Sequence, residues 1–169
     1  MLLFKIIKLL YHCNFITQFQ NIILTNSKYN MSRIVTKNKP SSVNLCFWLG
    51  LLSKLTNDDF HYAFKQNKPN IDIFINLLMD NNVYTKNIKW QNHYLTDYEL
   101  KENFNHIQDF DKSTINKGYD CSSCDPFLLL ITHLFQITLI HQYCGHSIIY
   151  DSKSPRKKIN YFANTHHFW

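Results

Sequence analysis

Apolar residues occupy several faces of the segment VNLCFWLGLLSKL, Val43 to Leu55, which predicts a buried helix with Cys46 near its start. The turn-like stretch TKNKPSS, Thr36 to Ser42, precedes it. TNDDFHYAF offers Thr56 and Asn57 as caps for a short amphipathic turn. PNIDIFINLLMDNN begins with Pro69 and ends in asparagine, as a helix does, and Ile71, Ile75, Leu78 and Met79 follow helical spacing. The stretch Val83 to Lys117 shows a clear period only in TDYELKENFNHI, where Thr96 and Glu99 have the spacing of a capping box. Asp125 and Pro126 open DPFLLLITHLFQ as an N-cap followed by a first-turn proline. ITLIHQY, HSIIYD and KINYF then read as strands, the last two separated by the turn SKSPRKK. The expected fold class is α+β, with helices packed on a small antiparallel sheet.

The first residues, MLLFKIIKLLYHCNFITQFQNIILTN, are apolar but interrupted by Lys5 and Lys8. That break is unlike a secretory signal and too frequent for a membrane span. The pattern predicts an amphipathic N-terminal extension over residues 1–35, packed on the domain or lying on a membrane surface, ahead of a folded domain at 36–169. Met31, which opens the polar run MSRIVTKNKPSS, is an alternative start.

Composition narrows the class. With 45% hydrophobic and 15% aromatic residues the chain can fill a core, and only 3 Gly and 4 Pro exclude a collagen-like or linker-rich sequence. The net charge of +6 permits contact with nucleic acid or an acidic protein without demanding either. The one dense basic stretch, SKSPRKK, Ser152 to Lys158, reads as a solvated turn. Five cysteines, an odd number in a chain long enough to fold without disulfides, suit reduced thiols and a cytoplasmic setting.

Thiols raise the question of chemistry. A cysteine protease needs a thiolate and an imidazole within hydrogen-bond reach. Cys46 is predicted at a helix start, where the dipole favours a thiolate and free N–H groups can hold an oxyanion. No histidine neighbours it, so the base must come from elsewhere in the chain. The chain's last residues, THHFW, supply His166 and His167 beside two aromatics. Adjacent strand residues face opposite ways, so one histidine of the pair can face Cys46.

The order of these pieces resembles the ovarian-tumour (OTU) family of cysteine proteases, most of which are deubiquitinases. Cys46, Phe47, Trp48 and Gly50 match the family's nucleophile helix, and His167 followed by Phe168 matches its late His-aromatic pair. Trp169 fits a position seen in some viral members, and GYDCSSCDPFLLLITHLFQITLIHQY resembles the segment before the His. The resemblance spans roughly Ser41 to Trp169. It implies a papain-like/OTU-like architecture and a hydrolase acting on ubiquitin, a ubiquitin-like protein or a viral polyprotein, in the (host) cytoplasm. Cys46 and His167 are then catalytic, Asn44 lies in the oxyanion loop, and Trp169 packs beside the imidazole. Val43, Asn44 and Leu45 stand where the family usually has Asp-Gly-Asn/Asp. Asn44 or Asn164 is left to orient the imidazole.

Other constellations compete. CSSC and HQYC place Cys121, Cys124, His141 and Cys144 at zinc-ligand spacing, with His146 as a spare. Buried or free thiols are the plainer account, so no cofactor is expected. Trp90, Tyr94 and Tyr98 could stack bases. No nucleic-acid motif accompanies them, and none is expected as a partner. Asp58, Asp59 and His61 are better read as a helix cap and first turn than as a metal or hydrolase site. A binding module of the same fold, catalytically silent or zinc-stapled, is the alternative function.

Overall fold

The computed structural model describes residues 45–143 and 146–163. The N-terminal extension, Met31, Asn44, Cys144, Asn164, His166, His167 and Trp169 lie outside the described residues. No described helix is long and apolar enough to cross a membrane.

Three helices come first: α1 (Cys46–Lys54), α2 (Asn57–Phe64) and α3 (Ile71–Asp80). A hairpin of β1 (Ile88–Trp90) and β2 (His93–Tyr94) precedes α4 (Asp97–Gln108) and a 3-10 turn over Lys112–Lys117. Then come α5 (Pro126–Phe135), β3 (Ile137–Tyr143), β4 (His146–Ser152) and β5 (Lys157–Ala163). The α+β class holds.

Local signals set most helix ends. Thr56 and Asp59 form a reciprocal capping box on α2, and Thr96 and Glu99 do the same on α4. Asp125 accepts from the backbone N–H groups of Phe127 and Leu128, with Pro126 in the first turn of α5. Pro69 is not the first helical residue of α3. Asn70 caps that helix, accepting from Ile73 N–H, so Pro69 sits one step outside. Helix α5 is buried continuously from Pro126 to Thr132, and again at Phe135, which makes it the centre of the core.

The sheet is mixed, not antiparallel. Its order is β2-β1-β4-β3-β5, and β5 pairs parallel to β3 in the register Leu139↔Ile159 and His141↔Tyr161. The chain leaves β4 on one side of β3 and rejoins on the other. Residues 153–156 make that crossing around the start of β3, pinned where Arg156 N–H donates to the Gln136 carbonyl at 2.7 Å. Strand pleating then sorts the residues. Ile137, Leu139 and His141 of β3, with Ile159 and Tyr161 of β5, are buried on one face. Thr138, Ile140, Gln142, Lys158 and Asn160 alternate with them and are partly or fully exposed.

The basic crossing is anchored rather than only solvated. Asp59, 2% exposed, receives the Lys157 ammonium and both Thr56 donors, with the Arg156 guanidinium 3.8 Å away. Arg156 also lies over the Tyr62 ring, 3.9 Å from its centroid. Burial pushes the Asp59 carboxyl up, but Lys157 and Thr56 outweigh burial and hold it below the usual range. Asp59→Ala should therefore cost about 2 kcal/mol in a urea melt, through the lost cap and the Lys157 ammonium left without its partner. A change below roughly 0.5 kcal/mol would mean the pair behaves as an ordinary surface bridge.

Candidate functional site

Cys46 is the first residue of α1, at a helix end unlike the others. Side chains of Thr56, Asn70, Thr96 and Asp125 cap α2 to α5, whereas the N-cap of α1 is Leu45, which supplies no side-chain hydrogen bond. The positive end of the α1 dipole therefore lies at Cys46, with no capping oxygen from the Leu45 side chain. Cys46 is half-buried there.

The next two residues lock the helix start in place. Phe47 packs on the Tyr119 ring at 4.2 Å between centroids, and Trp48 meets Phe127 edge-on at 4.9 Å. Both are at most 1% exposed. From the sheet side, the Tyr161 hydroxyl of β5 donates to the Phe47 carbonyl at 3.0 Å. Burial pushes that hydroxyl's pKa far up, and Cys121, Asp125 and Cys46 add to the rise through their charged forms. The strand that ends at Ala163 thus touches the first turn of the helix that begins at Cys46. His167 follows Tyr161 by six residues, a span of at most about 20 Å of extended chain.

A groove of about 540 Å³ lies along the same helix, with Leu45, Leu49, Leu52, Ile71 and Ile115 on its apolar side and Asn70, Asp72, Lys112 and Asn116 adding polar groups. Leu49 is 41% exposed. The sequence marked this helix as buried on several faces and gave no sign of the groove. Only the packing of α3 and the 3-10 turn beside α1 creates it.

Of the zinc-spaced residues, Cys121, Cys124 and His141 are among those described. Asp125, fully buried, accepts from Tyr119 Oη at 3.0 Å and Ser122 N–H at 3.2 Å, besides the two helix N–H groups. Cys121 is buried beside it, and burial drives that thiol well up. Burial likewise raises Cys124 to about 12. His141 stacks on Tyr161 at 5.5 Å, on the buried face of β3. Among the described residues no three His, Cys, Asp or Glu side chains stand together as metal ligands.

Desolvation lowers His141 to about 4 from an ordinary 6.5. The folded state prefers the neutral ring, so the unfolded chain binds the extra proton. Stability is full above about pH 6.5 and falls as pH drops toward 4, by up to about 3 kcal/mol. Urea melts from pH 7 to 4.5 should show this slope, and His141→Gln should flatten it. Asp59, held below its ordinary 3.8, adds its own loss only at lower pH.

Among the remaining candidates, Asp58 and Asp59 lie in the first turn of α2, as a cap requires, and His61 Nε2 lies 2.9 Å from Asn67 Oδ1. Trp90 anchors the hairpin by donating its indole N–H to the Ser123 carbonyl at 3.0 Å. Tyr94 and Tyr98 are 53% and 63% exposed, and Tyr98 donates to Glu102. Tyr161 and Tyr119 were missed as site residues. The alternation Ile159, Tyr161 in KINYF signalled that Tyr161 points inward, but nothing local named its partner.

No protein-family model matches the chain, no curated protein matches it, and no solved structure matches it.

Proposed function

We propose that this chain is an OTU-like cysteine protease that hydrolyses conjugates of ubiquitin or a ubiquitin-like protein, with Cys46 as nucleophile and His167 as general base. One observation carries the reading. Cys46 opens a helix whose N-cap has no capping side chain, and that helix is bonded through Phe47 to Tyr161, on the strand leading into THHFW.

The chemistry follows the Cys-His logic. The imidazole of His167 takes the thiol proton, and Cys46 Sγ attacks the scissile carbonyl. Backbone N–H groups at the start of α1, near Asn44 and Cys46, hold the oxyanion. Protonated His167 then gives its proton to the leaving amine, and water hydrolyses the thioester. Trp169 shields the imidazole, and Asn164 or Asn44 orients it. No metal or cofactor enters the scheme. The groove along α1, of mixed apolar and polar lining, accepts part of the substrate. A viral polyprotein tail is an alternative substrate for the same machinery, and the cytoplasm is its proposed location.

Incubation with a ubiquitin probe bearing a C-terminal thiol-reactive group tests the reading. The expected product is a one-to-one adduct mapped to Cys46. Well-folded protein that forms no adduct with ubiquitin or ubiquitin-like probes would leave a non-catalytic binding module as the better account.

A further inference from the structure

We propose that the Tyr161 hydroxyl is a positioning group of the candidate site, holding the helix of Cys46 in register with the strand that leads to His167; this rests on the cysteine-protease reading above. The two halves of that site are far apart in sequence. Among the described residues, α1 meets β5, the strand that precedes His167 in sequence, through Tyr161 and Phe47. The Tyr161 ring lies edge-on to Phe47 at 6.0 Å and stacks on His141 of β3 at 5.5 Å. Such contacts fill space but tolerate sliding, because dispersion is non-directional and falls off gradually.

The hydrogen bond from Tyr161 to the Phe47 carbonyl differs. It is buried, 3.0 Å long and directional. Its acceptor belongs to the residue that follows Cys46, so movement of the bond moves the nucleophile's own backbone. A carbonyl has two lone pairs, so this one can serve the helix and the phenol together. Removing the hydroxyl therefore leaves helix α1 with its internal bonding. The ring survives in Tyr161→Phe, together with its packing on Phe47 and His141. What is lost is the fixed register between the two elements. Misplacement by about 1 Å costs reactions of this kind up to a hundredfold.

The test compares Tyr161→Phe with Ile159→Val. Ile159 is also buried on β5, two residues away on the same face, and makes no such bond. Both changes should lower stability modestly, since a lost hydrogen bond and a lost buried methylene are of similar size. Adduct formation with the ubiquitin probe is followed across probe concentrations on the folded full chain. Tyr161→Phe should lower the rate at saturating probe by about tenfold or more, with the half-saturating concentration unchanged. Ile159→Val should leave both near the wild-type values. Equal rates in wild type and Tyr161→Phe overturn the positioning role alone. So does equal slowing in both variants, or loss of the fold on removing the hydroxyl, because the group then serves stability. A wild-type chain that forms no adduct overturns the protease reading and this inference with it.

Discussion

Cys46→Ala should abolish adduct formation with the ubiquitin probe and leave the fold nearly intact. Cys46 is half-buried at a helix end, so truncating it removes one sulfur from the edge of the core rather than from its centre. The melting temperature should fall by only about 2–4 °C, as for a loss near 1 kcal/mol in a domain of this size. His167→Ala removes the proposed base but not the proposed nucleophile, and should slow labelling by about a hundredfold or more. His166→Ala should change it little. If Cys46→Ala still forms the adduct, another thiol is the nucleophile and the proposed site is wrong.

Asp125→Ala should be the most damaging single change to stability. Its carboxylate receives four donors: the N–H groups of Phe127, Leu128 and Ser122, and the Tyr119 hydroxyl. Its own N–H donates to Tyr150 Oη at 3.0 Å, and that hydroxyl donates on to the Ser123 carbonyl. Burial raises the carboxyl's pKa, and the donors pull it partly back, so the site combines costly desolvation with dense compensation. Alanine removes the acceptor and leaves buried donors without one. Each such group costs roughly 1–3 kcal/mol, and the cap of the central helix α5 is lost as well. The expected loss is about 4 kcal/mol or more in chemical denaturation, with Asp125→Asn intermediate because its amide oxygen can still accept. A loss under about 1 kcal/mol for Asp125→Ala would show that water or a shifted backbone satisfies those donors.

What could be read from the sequence was local. Thr56, Thr96 and Asp125 each sit within three residues of the groups they cap, so a short window holds both partners. The strands of ITLIHQY, HSIIYD and KINYF were legible from their β-branched and aromatic content. Their arrangement was not. A short turn between HSIIYD and KINYF suggests a hairpin, yet the chain crosses the start of β3 and pairs β5 parallel to it. The tie from Arg156 N–H to the Gln136 carbonyl helps set that path, and no local pattern encodes it. The hairpin of β1 and β2 escaped notice for a different reason. Its turn residues Gln91 and Asn92 both have positive φ, 49° and 68°, which Asn-Gly or Asp-Gly normally signals.

The candidate site divides along the same line. Cys46 stood out because a turn-forming segment meets an apolar helix at that residue. The bond joining its helix to β5 links Phe47 and Tyr161, 114 residues apart, and became visible only in the fold. The groove along α1 is likewise a product of packing between α1, α3 and the 3-10 turn.

The central claim is that Cys46 and His167 form one site. Its most direct test is the distance from Cys46 Sγ to the nearer ring nitrogen of His167 in a crystal structure of the full chain. The expected separation is about 3–4 Å, with the imidazole facing the start of α1. A separation beyond roughly 8 Å, with His167 turned away from that helix, contradicts it.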